Sequence, residues 1–397
     1  MPDFLVLVFI FVAVVVGFFI GRTTGKSAGK FTQNLPWTQK RYFEGLTYLL
    51  NEQTDESLDN FFAGVDVNTD TLDVHLSLGG LLRRKGEVLR AVKVHQNLLS
   101  RTNLTRHQSQ IVQLELAKDY VRSGLLDRAE TLLKELIEHN AIARELRLES
   151  LEQLIDVYQD TKDWLKAIDV ADRLTTRKFA MQSDKWREVQ AQYSCELAEA
   201  SQLLKDWFET RKWIRVALRY DKNCVRASLL QARLDMNDNK YPTAIATLKM
   251  IPKQNLAHAS EMVRPLVECY QKLDGESSLL VELQVYLEKQ NDLVALNHLC
   301  VIVLKSQGAK KMLEVLQKLL PRYSNQEATL KLVETLLVQY DGGEYSFQLF
   351  QSVIDKLISV KPRYRCQNCG FEGGELYWLC PSCKKWAAMI STSYSVQ

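Results

Sequence analysis

The chain opens on an unbroken apolar run, Phe4 to Gly21 (FLVLVFIFVAVVVGFFIG), and then changes character. A helix of that length spans about 27 Å at 1.5 Å per residue, a short match to a hydrocarbon core of about 30 Å. The spacing predicts a transmembrane helix over 1–21. The rival is a cleaved secretory signal, but such signals carry positive charge ahead of the apolar run, and here only Asp3 precedes it. Arg22, Lys26, Lys30, Lys40 and Arg41 follow, with no acidic residue until Glu44. Positive charge gathers on the cytoplasmic side, which places 22–37 as a basic juxtamembrane linker and the bulk of the chain in the cytoplasm. Gly17, Gly21, Gly25 and Gly29 recur every fourth residue, the spacing that lets a partner helix approach closely.

Beyond the linker the apolar residues recur at helical spacing, and the pattern itself repeats. Leu78-Gly79 with Gly86 and Ala91 aligns with Leu116-Ala117, Tyr120, Gly124 and Ala129, and with Leu154, Tyr158, Trp164 and Ala167. One small-residue position falls at Ser57, Ala91, Ala129, Ala167, Thr210, Ala244, Leu279 and Met312. Most of those steps lie close to the tetratricopeptide period of about 34 residues. A second small position (Gly45, Gly79, Ala117, Ala198, Ala232) lets the two helices of a unit pack closely. Gly86 and Gly124 sit where a helix ends in a left-handed residue. These features predict an array of eight or nine helical hairpins over 38–360, degenerate after about Lys205. One unit cannot bury its apolar face alone, so the stack is the folding unit. Such solenoids offer a long concave surface to other proteins.

Composition narrows this further. Across 397 residues the formal net charge is only +3, with 46% hydrophobic residues. No block of like charge marks a nucleic-acid surface. Of eight cysteines, Cys195, Cys224, Cys269 and Cys300 are scattered in helical frames and read as small core residues. The other four form Cys366-x-x-Cys369-Gly370 and Cys380-Pro381-x-Cys383. Two such knuckles supply a tetrahedron of thiolates for one metal ion. Thiolate tetrahedra hold zinc or iron, and the knuckle pair is similar to that of rubredoxin. The module spans 361–390, with 391–397 as a tail. Phe371, Tyr377, Trp378 and Trp386 are expected to form its small core. Lys361, Arg363, Arg365, Lys384 and Lys385 are expected to form a solvated basic rim.

No phosphate loop, nucleophile elbow or zinc-protease helix is present, and the six histidines (His75, His95, His107, His139, His258, His298) are scattered. The chain is therefore read as non-enzymatic, with no catalytic or organic-cofactor residues. The expected fold is all-α: a tetratricopeptide-repeat solenoid with an N-terminal transmembrane helix and a small rubredoxin-like four-cysteine module.

The segments KPRYRCQNCGF, ELYWLCPSCKKW, LGGLLRRKGEVLRAV and LAKDYVRSGLLDRAE resemble the lipopolysaccharide assembly protein B family. The resemblance covers essentially the whole chain and carries the four metal ligands over to Cys366, Cys369, Cys380 and Cys383. It implies a single-pass protein of the Gram-negative inner membrane that restrains lipid A synthesis from the cytoplasmic face. It further implies that the protein promotes proteolysis of the committed-step deacetylase by the membrane protease FtsH, and gathers other lipopolysaccharide enzymes. An inner-membrane sensor protein would reach it through the transmembrane helix. Two other readings stand beside this one: a tethered rubredoxin-type electron carrier, and a generic repeat scaffold.

Overall fold

The computed structural model describes residues 69–175, 183–319 and 363–392. The anchor over 1–21, the linker, the first repeat around Ser57 and the stretch after Leu319 up to Pro362 lie outside the described residues, as does all of the tail but Ser391 and Thr392. Among the described residues no helix is long and apolar enough to cross a membrane. The chain divides into two compact units, Met1–Ser150 and Leu151–Gln397, with the boundary inside one helix.

The first unit holds α1 (Thr69–Lys85), α2 (Val88–Leu99), α3 (Arg106–Arg122) and α4 (Leu126–Glu138), and the start of α5 (Arg144–Asp160). Helix α3 begins on a capping box: Thr105 accepts from the Gln108 backbone N–H, and the Gln108 side chain accepts from the Thr105 N–H. Two of the orphan donors at the helix start are thereby satisfied. Inner and outer helices differ in pattern because they differ in neighbours. Helix α3 packs on both α2 and α4 and buries Val112, Leu114, Leu116, Ala117 and Tyr120 around its circumference. Helix α4 buries a single stripe, Ala129, Leu133, Leu136 and Ile137, the signature of a helix covered on one side.

The hairpins are pinned by polar groups as well. Arg83 donates to Glu115 and Asp119, both at 2.7 Å. The fully buried Asp119 also meets Nδ1 of buried His95 at 2.5 Å. Lys118 bridges Glu115 and Glu149, each at 2.6 Å. Burial alone would raise the Glu115 carboxyl, but Lys118 and Arg83 outweigh it and hold it below its ordinary value. Gly79 has no room for a side chain: a Cβ there would overlap the His95 ring. The small residue at this position thus makes way for a buried histidine.

The second unit continues with α6 (Trp164–Thr175), α7 (Ser183–Leu203), α8 (Trp207–Tyr220), α9 (Val225–Asn237) and α10 (Tyr241–Leu248). After α10 the regular pairing breaks. A single turn, α11 (Ile251–Gln254), opens on Pro252 and leads into a 3-10 segment, Leu256–Met262, before α12 (Val263–Lys272) resumes. Helices α13 (Glu276–Lys289), α14 (Leu293–Gln307) and α15 (Ala309–Leu319) follow. The insertion leaves the spacing from Ala244 to Leu279 nearly unchanged because α10 and α12 are short, at 8 and 10 residues. The sequence pattern therefore passes over it without a visible break.

The small-residue register is realised in packing. Ala91, Ala129, Ala167, Thr210, Ala244, Leu279 and Met312 are all fully buried. So are Ala117, Ala198 and Ala232 at the other small position. One turn recurs in hairpin after hairpin. Gly124 takes φ +77°, with Gly124 N–H bonded to the Val121 carbonyl and Leu125 N–H to the Tyr120 carbonyl. Gly86, Lys162, Lys205 and Asn239 close their hairpins with the same pair of bonds. This is the Schellman helix end, which satisfies two orphan carbonyls. Among the described residues glycine marks it in the two hairpins closed at Gly86 and Gly124; those closed at Lys162, Lys205 and Asn239 place lysine or asparagine in the left-handed region, where the sequence gives no cue.

Candidate metal centre

The C-terminal module is a three-stranded antiparallel sheet of order β2-β1-β3, with β1 Tyr364–Cys366, β2 Glu372–Gly373 and β3 Met389–Ser391. Strand β1 delivers Cys366 at its end. The chain then bends through the first knuckle: Gly370 N–H donates to the Cys366 carbonyl at 3.0 Å, and Cys366 N–H to the Phe371 carbonyl at 2.8 Å. The second knuckle repeats the design. Lys384 N–H donates to the Cys380 carbonyl at 2.9 Å, and Cys380 N–H to the Lys385 carbonyl at 3.1 Å. Gly370 and Lys384 occupy equivalent left-handed positions, with φ of +77° and +53°.

These bends bring the four sulfurs of Cys366, Cys369, Cys380 and Cys383 within 4.8 Å of one another. Cys366–Cys383 and Cys369–Cys380 are each 3.7 Å apart. A tetrahedron with metal–sulfur bonds of about 2.3 Å has edges of about 3.8 Å, which those two pairs match, so the quartet is gathered closely enough to hold a single ion. Among the described residues no other group of three or more metal-binding side chains comes together. Polar groups aim at the sulfurs. The Phe371 backbone N–H lowers the Cys369 thiol. Burial acts to raise Cys383, yet the Asn368 side chain and the Lys385 N–H carry it down to about 6. Both effects favour the thiolate, the form that binds metal. Cys366 and Cys380 are buried, whereas Cys369 is exposed at the rim. The donor set is that of a rubredoxin-type site for one metal ion; thiolates alone do not choose between iron and zinc.

The module sits on the repeat helices of its own unit. Trp386 donates its indole N–H to Gln159 at 2.7 Å, and the same oxygen accepts from Tyr193 at 3.2 Å. The Trp386 ring stands edge-on to Trp164 and Tyr193, with centroids 6.0 and 5.7 Å away. Trp164 stacks on Tyr193 in turn, at 5.4 Å. The Arg226 guanidinium covers another side of the indole at 5.9 Å, itself held by Glu196 and Glu199. At the far end Trp378 stacks on His258 at 5.4 Å. His258 Nε2–H donates to the Met389 carbonyl at 2.9 Å, and Tyr364 donates to Glu261 at 2.7 Å. His258 and Glu261 lie in the 3-10 insertion, so the irregularity in the array is part of the module's seat. Lys384 pairs with Asp160.

This corrects the reading of the aromatic residues. The module's own core is Cys366, Cys380, Ala388 and Met389, with Phe371, Leu376 and Tyr364 against it. Trp378 packs on the core of the array and Trp386 fills the Trp164–Tyr193 corner; both face outward. Tyr377 meets Phe371 edge-on and stays exposed. The basic rim is divided as well: Lys384 is drawn to Asp160, while Arg365 and Lys385 face solvent. Cys195, Cys224, Cys269 and Cys300 are buried core residues.

A curated relative from Escherichia coli strain K12, named lipopolysaccharide assembly protein B, is 31% identical over 380 residues, which is 95% of both chains. The chain belongs to the lipopolysaccharide assembly protein B family. A relative of the same name from Haemophilus influenzae is 29% identical over 396 residues, 96% of each chain. Residues 364–390 match the rubredoxin metal binding domain family, the same stretch that holds the sheet and both knuckles. A solved tetratricopeptide repeat protein from Parabacteroides merdae aligns with 72% of this chain and 99% of its own, at 10% identity and a TM-score of 0.34; a likeness at that level carries no argument. The residues that sequence reasoning missed are those of the seat: Gln159, Tyr193, Arg226, His258 and Glu261. Their one advance signal was the pair of tryptophans beside the second knuckle, more aromatic surface than so small a module can bury by itself.

Proposed function

We propose that the chain is a membrane-tethered adaptor in lipopolysaccharide assembly. On this reading it promotes FtsH-dependent proteolysis of the committed-step lipid A deacetylase and gathers other lipopolysaccharide enzymes at the inner membrane. The process comes from the near-full-length relation to proteins named for lipopolysaccharide assembly. The observation that carries the adaptor role is the seating of the metal module on α5, α6, α7, α9 and the 3-10 insertion through Trp386, Trp378 and His258. A metal-folded knob clamped to a repeat array makes one composite surface from residues about 200 positions apart, which suits holding a client and its protease together. The apolar run Phe4–Gly21 supplies the tether, the remainder facing the cytoplasm, and its glycine face is the contact proposed for the sensor protein.

The deciding experiment measures deacetylase half-life in cells that carry or lack this gene. Loss of the gene lengthens the half-life, wild type restores it, and Trp386→Ala or deletion of residues 1–21 restores it only in part. An unchanged half-life without the gene removes the proteolytic role and leaves the generic scaffold. Full restoration by the untethered form removes the tether. One observation favours the electron-transfer reading: the exposed sulfur of Cys369 offers a route to a redox partner. Colourless, zinc-loaded protein with full regulation eliminates it; reversible bleaching of visible absorbance by a reductant, with a partner that accepts the electron, supports it.

A further inference from the structure

Four of the exposed large apolar side chains in the second unit stand at the turn joining α7 to α8. Leu203 is 85% exposed, Leu204 82%, Phe208 72% and Trp207 40%. Leu165, at the turn joining α5 to α6, is 56% exposed. Four apolar residues within six positions form a contiguous patch, which on a soluble surface marks an interaction site.

This tip is not a loose loop that has failed to fold inward. Lys205 holds a left-handed φ of +59°, its N–H bonded to the Gln202 carbonyl at 2.9 Å, and Asp206 N–H bonds to the Ser201 carbonyl at 2.9 Å. The Asp206 carboxylate then caps α8 by accepting from Glu209 N–H at 3.0 Å. The backbone is fixed on both sides of the bend, so the leucines and rings are presented rigidly and little order need be lost on contact. Cations outnumber acids in the flanking sequence. Between Ser201 and Arg215 stand Lys205, Arg211, Lys212 and Arg215 against Asp206 and Glu209. Lys212 pairs with Glu209, and Arg211 with Asp238 on the neighbouring hairpin. Leucine, tryptophan and phenylalanine beside lysine and arginine in one short stretch is the composition of elements that lie in the headgroup layer of anionic bilayers.

We propose that the α7–α8 tip is a second membrane contact, in which Leu203, Leu204, Trp207 and Phe208 enter the interface of an anionic bilayer. The inference rests on the tethered reading above, since the run Phe4–Gly21 is what keeps a bilayer at high effective concentration around the tip. A tip in the headgroup layer would fix the orientation of the array over the membrane, which a single point of attachment cannot do.

The test uses the full chain in nanodiscs of phosphatidylglycerol and phosphatidylcholine whose acyl chains are brominated near the headgroup. Wild type minus Trp207→Phe isolates the Trp207 emission from the other tryptophans. That emission should fall at least twofold relative to unbrominated discs and resist aqueous acrylamide. It should regain acrylamide access in the double variant Leu204→Asp/Phe208→Asp, whose sites are exposed and whose thermal unfolding should match wild type. Pure phosphatidylcholine should weaken the quenching. Trp207 emission indifferent to bromine in a chain that has entered the disc overturns the proposal while leaving the tether intact. Shielding from acrylamide that instead grows with the number of chains per disc assigns the patch to a second copy, and also overturns it. A chain that enters no disc overturns both the tether and the tip.

Discussion

Two seams in this molecule are built from opposite materials. In the first unit, α1 to α3 are joined by a buried ionic chain, Arg83–Asp119–His95 with Glu115. In the second, the metal module is joined to its helices mainly by stacked and edge-on rings, with the buried His258–Met389 bond and the Arg226 guanidinium beside them. The ionic chain links α1 to α3 across one repeat, where a regular lattice already fixes the geometry and opposite charges can be placed against one another. The module has no such lattice. Apolar ring area tolerates small misplacement, whereas a buried charge does not. The contrast teaches that charge pins register between repeats, whereas docking a foreign body onto them takes aromatic area, with Arg226 and Lys384 as supports.

The largest expected effect tests whether the second seam depends on the metal. Structural zinc supplies about 10–16 kcal/mol of folding free energy in small domains. Cys383→Ser or chelation should therefore unfold the module and expose the Trp164–Tyr193 corner, while α1–α4 stay folded. Hydrogen exchange resolved along the chain checks this: fast exchange confined to 363–392 and the seat is expected, and slow exchange there in metal-free protein would show that the module folds unaided. Next, Asp119→Ala leaves Arg83 with Glu115 alone and takes the partner from the buried His95 Nδ1, and should destabilise the first unit by about 1–3 kcal/mol, read from denaturant unfolding. A loss under about 1 kcal/mol would mean that the network is ornament and that apolar packing alone sets the register.

Trp386→Ala should act on a similar scale, lowering stability by about 2–3 kcal/mol through lost ring burial and detaching the module without releasing its metal. Retained metal content together with exchange-exposed Gln159 and Tyr193 is the expected pair of readouts. Acid sharpens the contrast further. Burial holds the His258 imidazole below its ordinary value, with the Met389 bond offsetting part of the shift. The folded seam therefore keeps His258 neutral where the unfolded chain would take up a proton, at about pH 6.5 and below. Its contribution is present in full above that pH and declines as pH falls through it. Thiolate sites also lose metal in acid, so the informative quantity is the difference in Tm between wild type and His258→Gln, flat above pH 7 and shrinking below 6.5. Smallest is the gain from Lys162→Gly. Relieving a lysine of its left-handed backbone, φ +58°, should raise stability by about 0.5–1 kcal/mol, visible as a higher Tm.

The regular parts of the molecule were legible in the sequence because they repeat. The step from Ala91 to Ala129 to Ala167 announces a register, and each of those residues is fully buried. The cysteine spacing announces a tetrahedron, and the sulfurs meet. What stayed hidden is what occurs once. Trp386 and Gln159 stand 227 positions apart, and no periodicity links them. The insertion over Ile251–Met262 hides behind two shortened helices. Lys162, Lys205 and Lys384 take left-handed conformations that only glycine would advertise, because hydrogen bonds on either side outweigh the steric penalty of a Cβ.

The 227 positions between Gln159 and Trp386 have a consequence for how the chain is made. At about 5–20 residues per second of synthesis, the Trp164–Tyr193 corner leaves the ribosome on the order of 10–45 s before the tryptophan that fills it. During that interval the nascent array carries an uncovered aromatic notch, and every chain that ends early keeps it. The last thirty residues thus act as a seal, and an open notch distinguishes an unfinished copy from a finished one.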